Sequence, residues 1–442
     1  MTSRLLRRGL AAAALLAAGE AAAEGPPRVH AIEGARIVVA PGRLVESGTV
    51  VMRDGILTAV GSEASAPADA RLWDGRGLTV YPGLIDAYSP RAPQAAGEDA
   101  GPLVTPERDA TALASDAALN KKLRDAGFTT ALVAPKAGVL RGKAALVNLG
   151  EGELRENLLR REVALTAAFD TAAGEGGVYP ASLMGAVALF RQAMLDASWY
   201  ATAHAAFGRD PGQQRPPVEA SLEALQPAVT GALPVLFETR NALDGLRAAR
   251  VLRELGLSAW LVGRGDEYRW LDELRATGLP WILSLDFPAD PTPGEEDDLS
   301  LGLEDLRHWD RAPDNPRALL EAGLTVAFTS FRLADPGKLH ANLAKAIARG
   351  LEPQAALAAL TTTPASLLGI ADRAGTLEPG KMANLVVVEG ELFVDRPRIR
   401  EVWIDGRRYE VEKTKPPEVD AESPQGPARL TATRTAKPEP SP

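Results

Sequence analysis

Short apolar runs separated by turn signals open the chain. Ala35-Arg36-Ile37-Val38-Val39 and Gly48-Thr49-Val50-Val51-Met52 read as strands, and Asp54-Gly55 leads into Ile56-Leu57-Thr58-Ala59-Val60 as a hairpin turn. The same texture returns late, in Ala383–Val388 and Ile399–Ile404, where Asp405-Gly406 marks a second hairpin before Arg407-Arg408-Tyr409. Two β-rich pieces at opposite ends, 28–81 and 372–411, predict one small composite β-sandwich domain.

Between them the period changes. Thr129–Ala134, Pro234–Phe237, Ala259–Val262, Trp281–Leu285 and Leu324–Phe328 are short apolar runs, with helical stretches between several of them. One predicted helix ends near Ala126-Gly127, and another covers about Asp244 to Leu255. A third runs from Ser182 to Phe207, with Leu183, Val187, Phe190 and Met194 on one stripe. Buried strands alternating with helices imply an α/β fold with a parallel sheet under helices. Residues 82–371 are long enough for a (β/α)8 TIM-like barrel. No fixed-period repeat points to a solenoid. After Val411 a tail with seven prolines reads as disordered, residues 412–442.

With 442 residues, 45% of them hydrophobic, the chain can bury one large core and a satellite. Its net charge of −9 leaves no basic excess to neutralise phosphates, which excludes a nucleic-acid partner. The chain has no cysteine, so disulfides, thiol nucleophiles and thiolate metal sites are excluded. Arg4, Arg7 and Arg8, then a short Ala/Leu run and Ala21-Ala22-Ala23, predict a signal peptide over 1–23. Arg7-Arg8 matches a twin-arginine address only in part. That run is too short for a membrane span, which takes about 20 apolar residues. A periplasmic or secreted location is the expectation.

Candidate chemistry centres on Pro82-Gly83-Leu84-Ile85-Asp86-Ala87-Tyr88-Ser89-Pro90. It resembles the Pro-Gly-Leu-Ile-Asp-Ala-His-x-His segment that opens the barrel of the amidohydrolase superfamily. Histidines two apart on a strand share a face and can grip one ion; here Tyr88 and Pro90 stand in their places. Thr361-Thr362-Thr363-Pro364-Ala365 and Gly375-Thr376-Leu377-Glu378-Pro379-Gly380-Lys381-Met382-Ala383-Asn384-Leu385-Val386 resemble signatures of amidohydrolases related to imidazolonepropionase, with Asn384 for the usual Asp. The resemblance implies hydrolysis of C–N bonds in small molecules, by water activated on one or two divalent metals at the C-terminal mouth of the barrel. An ion in an open site brings the proton loss of bound water near neutral pH.

Ligand positions carried over from that resemblance are not filled. Glu238 stands at the strand-5 histidine and Arg264 nearest the strand-6 histidine. Thr329-Ser330-Phe331 replaces the strand-8 Gly-Thr-Asp. No lysine lies between Lys143 and Lys338, so a carboxylated lysine on strand 4 is excluded. The four histidines, His30 before the first strand, His204, His308 and His340, share no ligand spacing. The acidic run Glu295-Glu296-Asp297-Asp298 reads as a solvated loop or a weak calcium signal.

The expected site is therefore free of metal and cofactor, with no catalytic residue assigned. Its ligand-binding candidates at the mouth are Tyr88, Glu238, Arg240, Arg264 and Asp286, with Asp86 and Asp266 nearby. They suit an ion-pair plug, in which Glu238 or Asp286 pairs with Arg264, or a retained small-ligand pocket. A metal-free hydrolase with Glu238 and Asp286 as acid and base is a further alternative. The expected role is a non-catalytic binding protein. Its partners would be a small molecule, an active amidohydrolase paralogue or a second copy of itself. The alternative is an active hydrolase of dipeptide or other small C–N bonds.

Overall fold

In the computed structural model the described residues are 28–91, 103–113, 116–171, 179–289 and 302–411. The predicted signal peptide, the Glu295–Asp298 run and the proline-rich tail lie outside them. Among the described residues no helix is long and apolar enough to cross a membrane.

Strands β1 (Val29–Ala40), β2 (Arg43–Arg53), β3 (Ile56–Gly61), β4 (Arg71–Asp74) and β5 (Leu78–Pro82) come from the start of the chain. They share one eight-stranded sheet with β14 (Leu385–Glu389), β15 (Arg398–Ile404) and β16 (Arg407–Glu410). The join between the two ends is the antiparallel pair β5–β14, from Leu385 opposite Pro82 to Glu389 opposite Leu78. Ile37, Met52, Val80, Leu385 and Trp403 meet in its core. His30 lies within β1, not ahead of it: the ring of Trp403 is 5.1 Å away, and Trp73 Nε1 donates to His30 Nδ1 at 3.3 Å.

A second eight-stranded sheet forms the barrel. Its strands in order are β6 (Leu84–Arg91), β7 (Phe128–Pro135), β8 (Leu140–Asn148), β9 (Leu158–Ala168), β10 (Val235–Glu238), β11 (Ala259–Gly263), β12 (Trp281–Ser284) and β13 (Val326–Thr329). β13 returns beside β6, where Thr329 Oγ1 donates to Tyr88 O at 2.6 Å. Leu236, Val262, Ile282 and Ala327 face inward, and Phe237, Leu261, Leu283 and Phe328 pack outward under the helices. Burial on both faces explains why these strands read as unbroken apolar runs.

The barrel departs from a uniform (β/α)8 pattern at its third strand. β8 runs antiparallel to both β7 and β9. Only Lys136-Ala137-Gly138-Val139 separates β7 from β8, too short for the crossover that a parallel neighbour needs. The apolar-run pattern does not predict β8 or β9, because Arg141, Lys143, Arg160, Arg161 and Glu162 interrupt them.

Helix α1 (Ala117–Asp125) precedes β7, and helix α2 (Leu183–Arg209) follows β9, close to its predicted span. Ser182 caps α2, its side chain accepting from Gly185 N. The helix predicted near 244–255 spans Ala242–Glu254.

Candidate ligand site at the barrel mouth

The site begins with an irregularity. Strand β6 loses register against β7 between Asp86 and Ser89; there Asp86 meets Thr329 and Tyr88 meets Glu238. Tyr88 is fully buried, and its hydroxyl donates to Glu238 Oε2 at 2.6 Å. Arg141, on β8, donates from Nη1 to the same oxygen at 2.7 Å, and that nitrogen is 3.1 Å from Tyr88 Oη. Its other arms reach Asp170 Oδ2 at 2.8 Å and Gly138 O at 3.0 Å. The Arg141 side chain is 3% exposed and that of Glu238 13%, so the pair is held out of water.

Electrostatics follow from this packing. Burial pushes the Glu238 carboxyl up, but Arg141, the Tyr88 hydroxyl and Arg264 outweigh it and hold the group below its ordinary value. Burial and the Glu238 charge push the Tyr88 phenol well above its usual range. For Arg141, burial works against the charge, but Tyr88, Glu238 and Asp170 more than compensate and raise its pKa. The group is a fixed cation clamped by two carboxylates.

Asp86 behaves in the opposite way. It is fully buried, and burial raises its pKa despite hydrogen bonds from Ser330 and Thr329. Thr329 Oγ1 lies 2.6 Å from both Asp86 Oδ1 and Tyr88 O. The Thr329 hydroxyl is shared between these two acceptors, and burial disfavours the charged form of Asp86.

The remaining predicted residues are placed differently. Arg264 stays near Glu238, with Nη2 at 3.4 Å from Oε1, while its Nε donates to Thr239 O at 3.1 Å. Arg240 does not join them: its Nε is 2.8 Å from Asp244 Oδ2, one helical turn on. Of the two carboxylates offered to Arg264, Glu238 is the one beside it, and Asp286 lies 3.5 Å from Arg332. Its backbone N–H donates to Ser284 Oγ at 3.2 Å. Asp266 accepts from Ala242 N at 2.9 Å and so serves the start of a helix. Glu238 and Asp286 are each engaged by an arginine, which leaves them poorly placed as a free acid and base.

Sequence reasoning missed Arg141 and Asp170. The only signal was a lone arginine between Val139-Leu140 and Gly142, which reads as a surface residue until β8 turns it inward. The histidines are occupied elsewhere. His340 is buried with Nε2 2.8 Å from Ala126 O, His204 Nε2 is 3.2 Å from Pro217 O, and His308 Nδ1 is 3.3 Å from Tyr268 Oη.

Residues 300–409 match the model of an amidohydrolase family. That segment, about a quarter of the chain, is similar to the amidohydrolase family, and the chain has the fold of amidohydrolases. No curated protein sequence matches it. Among solved structures it is similar to an amidohydrolase from Thermotoga maritima MSB8, at 22% identity, with 86% of this chain and 99% of that one covered and a TM-score of 0.72. It is also similar to a putative prolidase from Bifidobacterium longum at 18% identity, with 87% and 95% covered and a TM-score of 0.50. A prolidase complexed with N-methylphosphonate-L-proline matches at 14% identity, with 86% and 99% covered and a TM-score of 0.50. At these identities the likeness is one of fold.

Amidohydrolase chemistry implies divalent metal, and the residues present do not fit one. The positions that the resemblance assigns to metal ligands hold Tyr88, Pro90, Glu238, Arg264 and Phe331; Glu238 is the one carboxylate among them, and Arg141 occupies it at 2.7 Å. The Phe331 ring sits 5.0 Å from that of Tyr88. Among the described residues no group of three or more His, Cys, Asp or Glu is arranged to hold a metal ion. Where the strand-1 and strand-5 side chains converge stands the guanidinium of Arg141, a cation that repels another.

Proposed function

We propose that this amidohydrolase-fold chain is a non-catalytic binding protein, in which Arg141 supplies the positive charge that a metal supplies in active relatives. The observation that carries this reading is the contact of Arg141 Nη1 with both Tyr88 Oη and Glu238 Oε2, at 3.1 and 2.7 Å. A guanidinium stabilises neighbouring carboxylates but has no open coordination position and cannot generate hydroxide from water. Arg264, 26% exposed, and Asp170, 35% exposed, are the cluster's solvent-facing charges and the groups through which a small polar ligand is recognised. The N-terminal pattern over 1–23 supports export, and the intact scaffold supports service beside an active amidohydrolase.

Elemental mass spectrometry of the desalted mature protein tests this. Only trace zinc, iron, manganese or nickel is expected, with no hydrolysis of Xaa-Pro dipeptides after those metals are added. Near-stoichiometric metal that survives desalting, or metal-dependent turnover, overturns the reading in favour of an active hydrolase of small C–N bonds.

A further inference from the structure

Arg264 is presented by a loop that a buried carboxylate holds in place. Strand β11 ends at Gly263, and Arg264-Gly265-Asp266-Glu267 follows. Glu267 is fully buried. Its Oε1 accepts from Arg264 N at 2.6 Å, and its Oε2 from Gly265 N at 2.9 Å and Asn315 Nδ2 at 2.7 Å. All three donors are neutral, and burial and the neighbouring Asp266 charge push the carboxyl pKa up against them. A carboxylate buried without a cation is a costly way to close a loop. The packing around it is tight. A Cβ at Gly263 would lie 2.3 Å from Glu267 Oε1, and the φ of +102° at Gly265 favours glycine.

The side chain of Arg264 is fixed as well as its main chain. Its Nε donates to Thr239 O at 3.1 Å, and its Nη2 lies 3.4 Å from Glu238 Oε1. That second contact is long, and Glu238 is held more closely through its other oxygen by Tyr88 and Arg141. Nη1 has no acceptor among the described residues, and the side chain is 26% exposed. A guanidinium has five N–H donors, so three of them face outward unused. The other charges at the mouth are better matched. Arg240 is bound to Asp244 at 2.8 Å, and Arg332 has Asp286 at 3.5 Å. Asp170 accepts from Arg141 and also lies in the field of Arg240. Arg264 alone shares its carboxylate with a closer arginine.

We propose that the ligand of this mouth is a small carboxylate gripped by the free edge of Arg264, with Glu267 as the residue that positions this arginine. The inference rests on the reading of the chain as a binding protein and names the class of ligand. Parallel N–H···O bonds from Nη1 and Nη2 match the two oxygens of a carboxylate. The long Glu238 contact yields to a closer partner at little cost. A cationic ligand suits the site less well, because it would meet Arg264 and compete with Arg141 for Glu238 and Asp170. Fixing the guanidinium before the ligand arrives lowers the ordering cost of binding. That gain is what the buried Glu267 provides.

Three acids of different size, acetate, benzoate and N-acetylglycine, each set against its neutral amide, test this on the full chain by ligand-observed NMR titration. At least one acid is expected to bind roughly tenfold more tightly than its amide. Arg264→Met is expected to abolish that preference. Glu267→Gln trades an acceptor for a donor and is expected to lower the preference about threefold, with unchanged circular dichroism. Glu267→Gln/Asn315→Asp restores a donor–acceptor pair between the two positions and is expected to recover part of it. A purely structural Glu267 leaves the preference unchanged in both variants, and that result overturns its assignment. No acid preferred over its amide, or a preference that survives Arg264→Met, overturns the carboxylate site. Metal content keeps the two readings apart. A metal-free chain without the preference overturns this inference alone, whereas near-stoichiometric metal overturns the binding-protein reading beneath it.

Discussion

At the scale of single residues, Arg141 and Glu238 depend on each other. Removing one member of a buried ion pair strands the other's charge, which typically costs about 3–5 kcal/mol, whereas replacing both with apolar groups is often nearly neutral. Arg141→Met is therefore expected to destabilise the fold by about 3–5 kcal/mol in chemical denaturation. Arg141→Met/Glu238→Leu is expected to recover most of that loss. Acid acts on the same pair. The folded-state pKa of Glu238 is depressed, so its stabilising contribution is present above the ordinary carboxyl range and is lost as pH falls through the depressed value. Thermal denaturation across the acid range should show this slope in the wild type and a shallower one in Glu238→Gln. Asp86 has the opposite sign. Its raised pKa makes the fold bind a proton more tightly than the unfolded chain does, so its contribution falls as pH rises from the ordinary carboxyl value to the raised one. Asp86→Asn, which is neutral throughout, is expected to remove that fall while keeping the acceptor for Ser330.

The elements show why the motif around Gly83 has its form. Strand β5 of the small sheet ends at Pro82 and β6 of the barrel begins at Leu84, so Gly83 alone carries the chain from one to the other. A Cβ at this position would lie 2.2 Å from Thr129 Oγ1 and 2.5 Å from Thr129 Cγ2. Its N–H donates to Asn384 O at 3.0 Å. Gly83→Ala must displace the first residues of β7, and overpacking of this kind typically costs about 1–3 kcal/mol. A lowered melting temperature with unchanged far-UV spectrum is the expected result, and Gly83→Ala/Thr129→Ser should restore part of it by removing Cγ2. The motif was legible by its resemblance to a known segment, whereas the steric need of its glycine comes from Thr129 on β7 and shows only in the fold. Strand β8 was not legible, because its charges are accommodated only by partners from elsewhere. Lys143, for example, meets Glu162 of the neighbouring strand β9 at 2.9 Å.

For the whole molecule, the two chain ends and the barrel are joined by polar contacts as well as by β5–β14. Asn384 Nδ2 donates to Asn148 Oδ1 at 2.9 Å, Asn148 Nδ2 donates to Asp405 Oδ2 at 2.6 Å, and Asp405 N donates to Asn384 Oδ1 at 2.9 Å. Truncation before Leu385 would remove three strands, bare the edge of β5 and open the core around Trp403 and Val387. Such a chain is expected to accumulate as insoluble material, while removal of 412–442 alone should leave a soluble protein. Local sequence was sufficient for what depends on local order: strand runs, the span of helix α2, the hairpin turns and the amidohydrolase resemblance. Hydrophobic period and turn chemistry act over a few residues, so they can be read along the chain. Tertiary structure alone decided which charges meet. Arg141, Tyr88 and Glu238 are separated by 53 and 97 residues in sequence, and they converge only because a short loop forces β8 to run antiparallel and aims its arginine into the barrel.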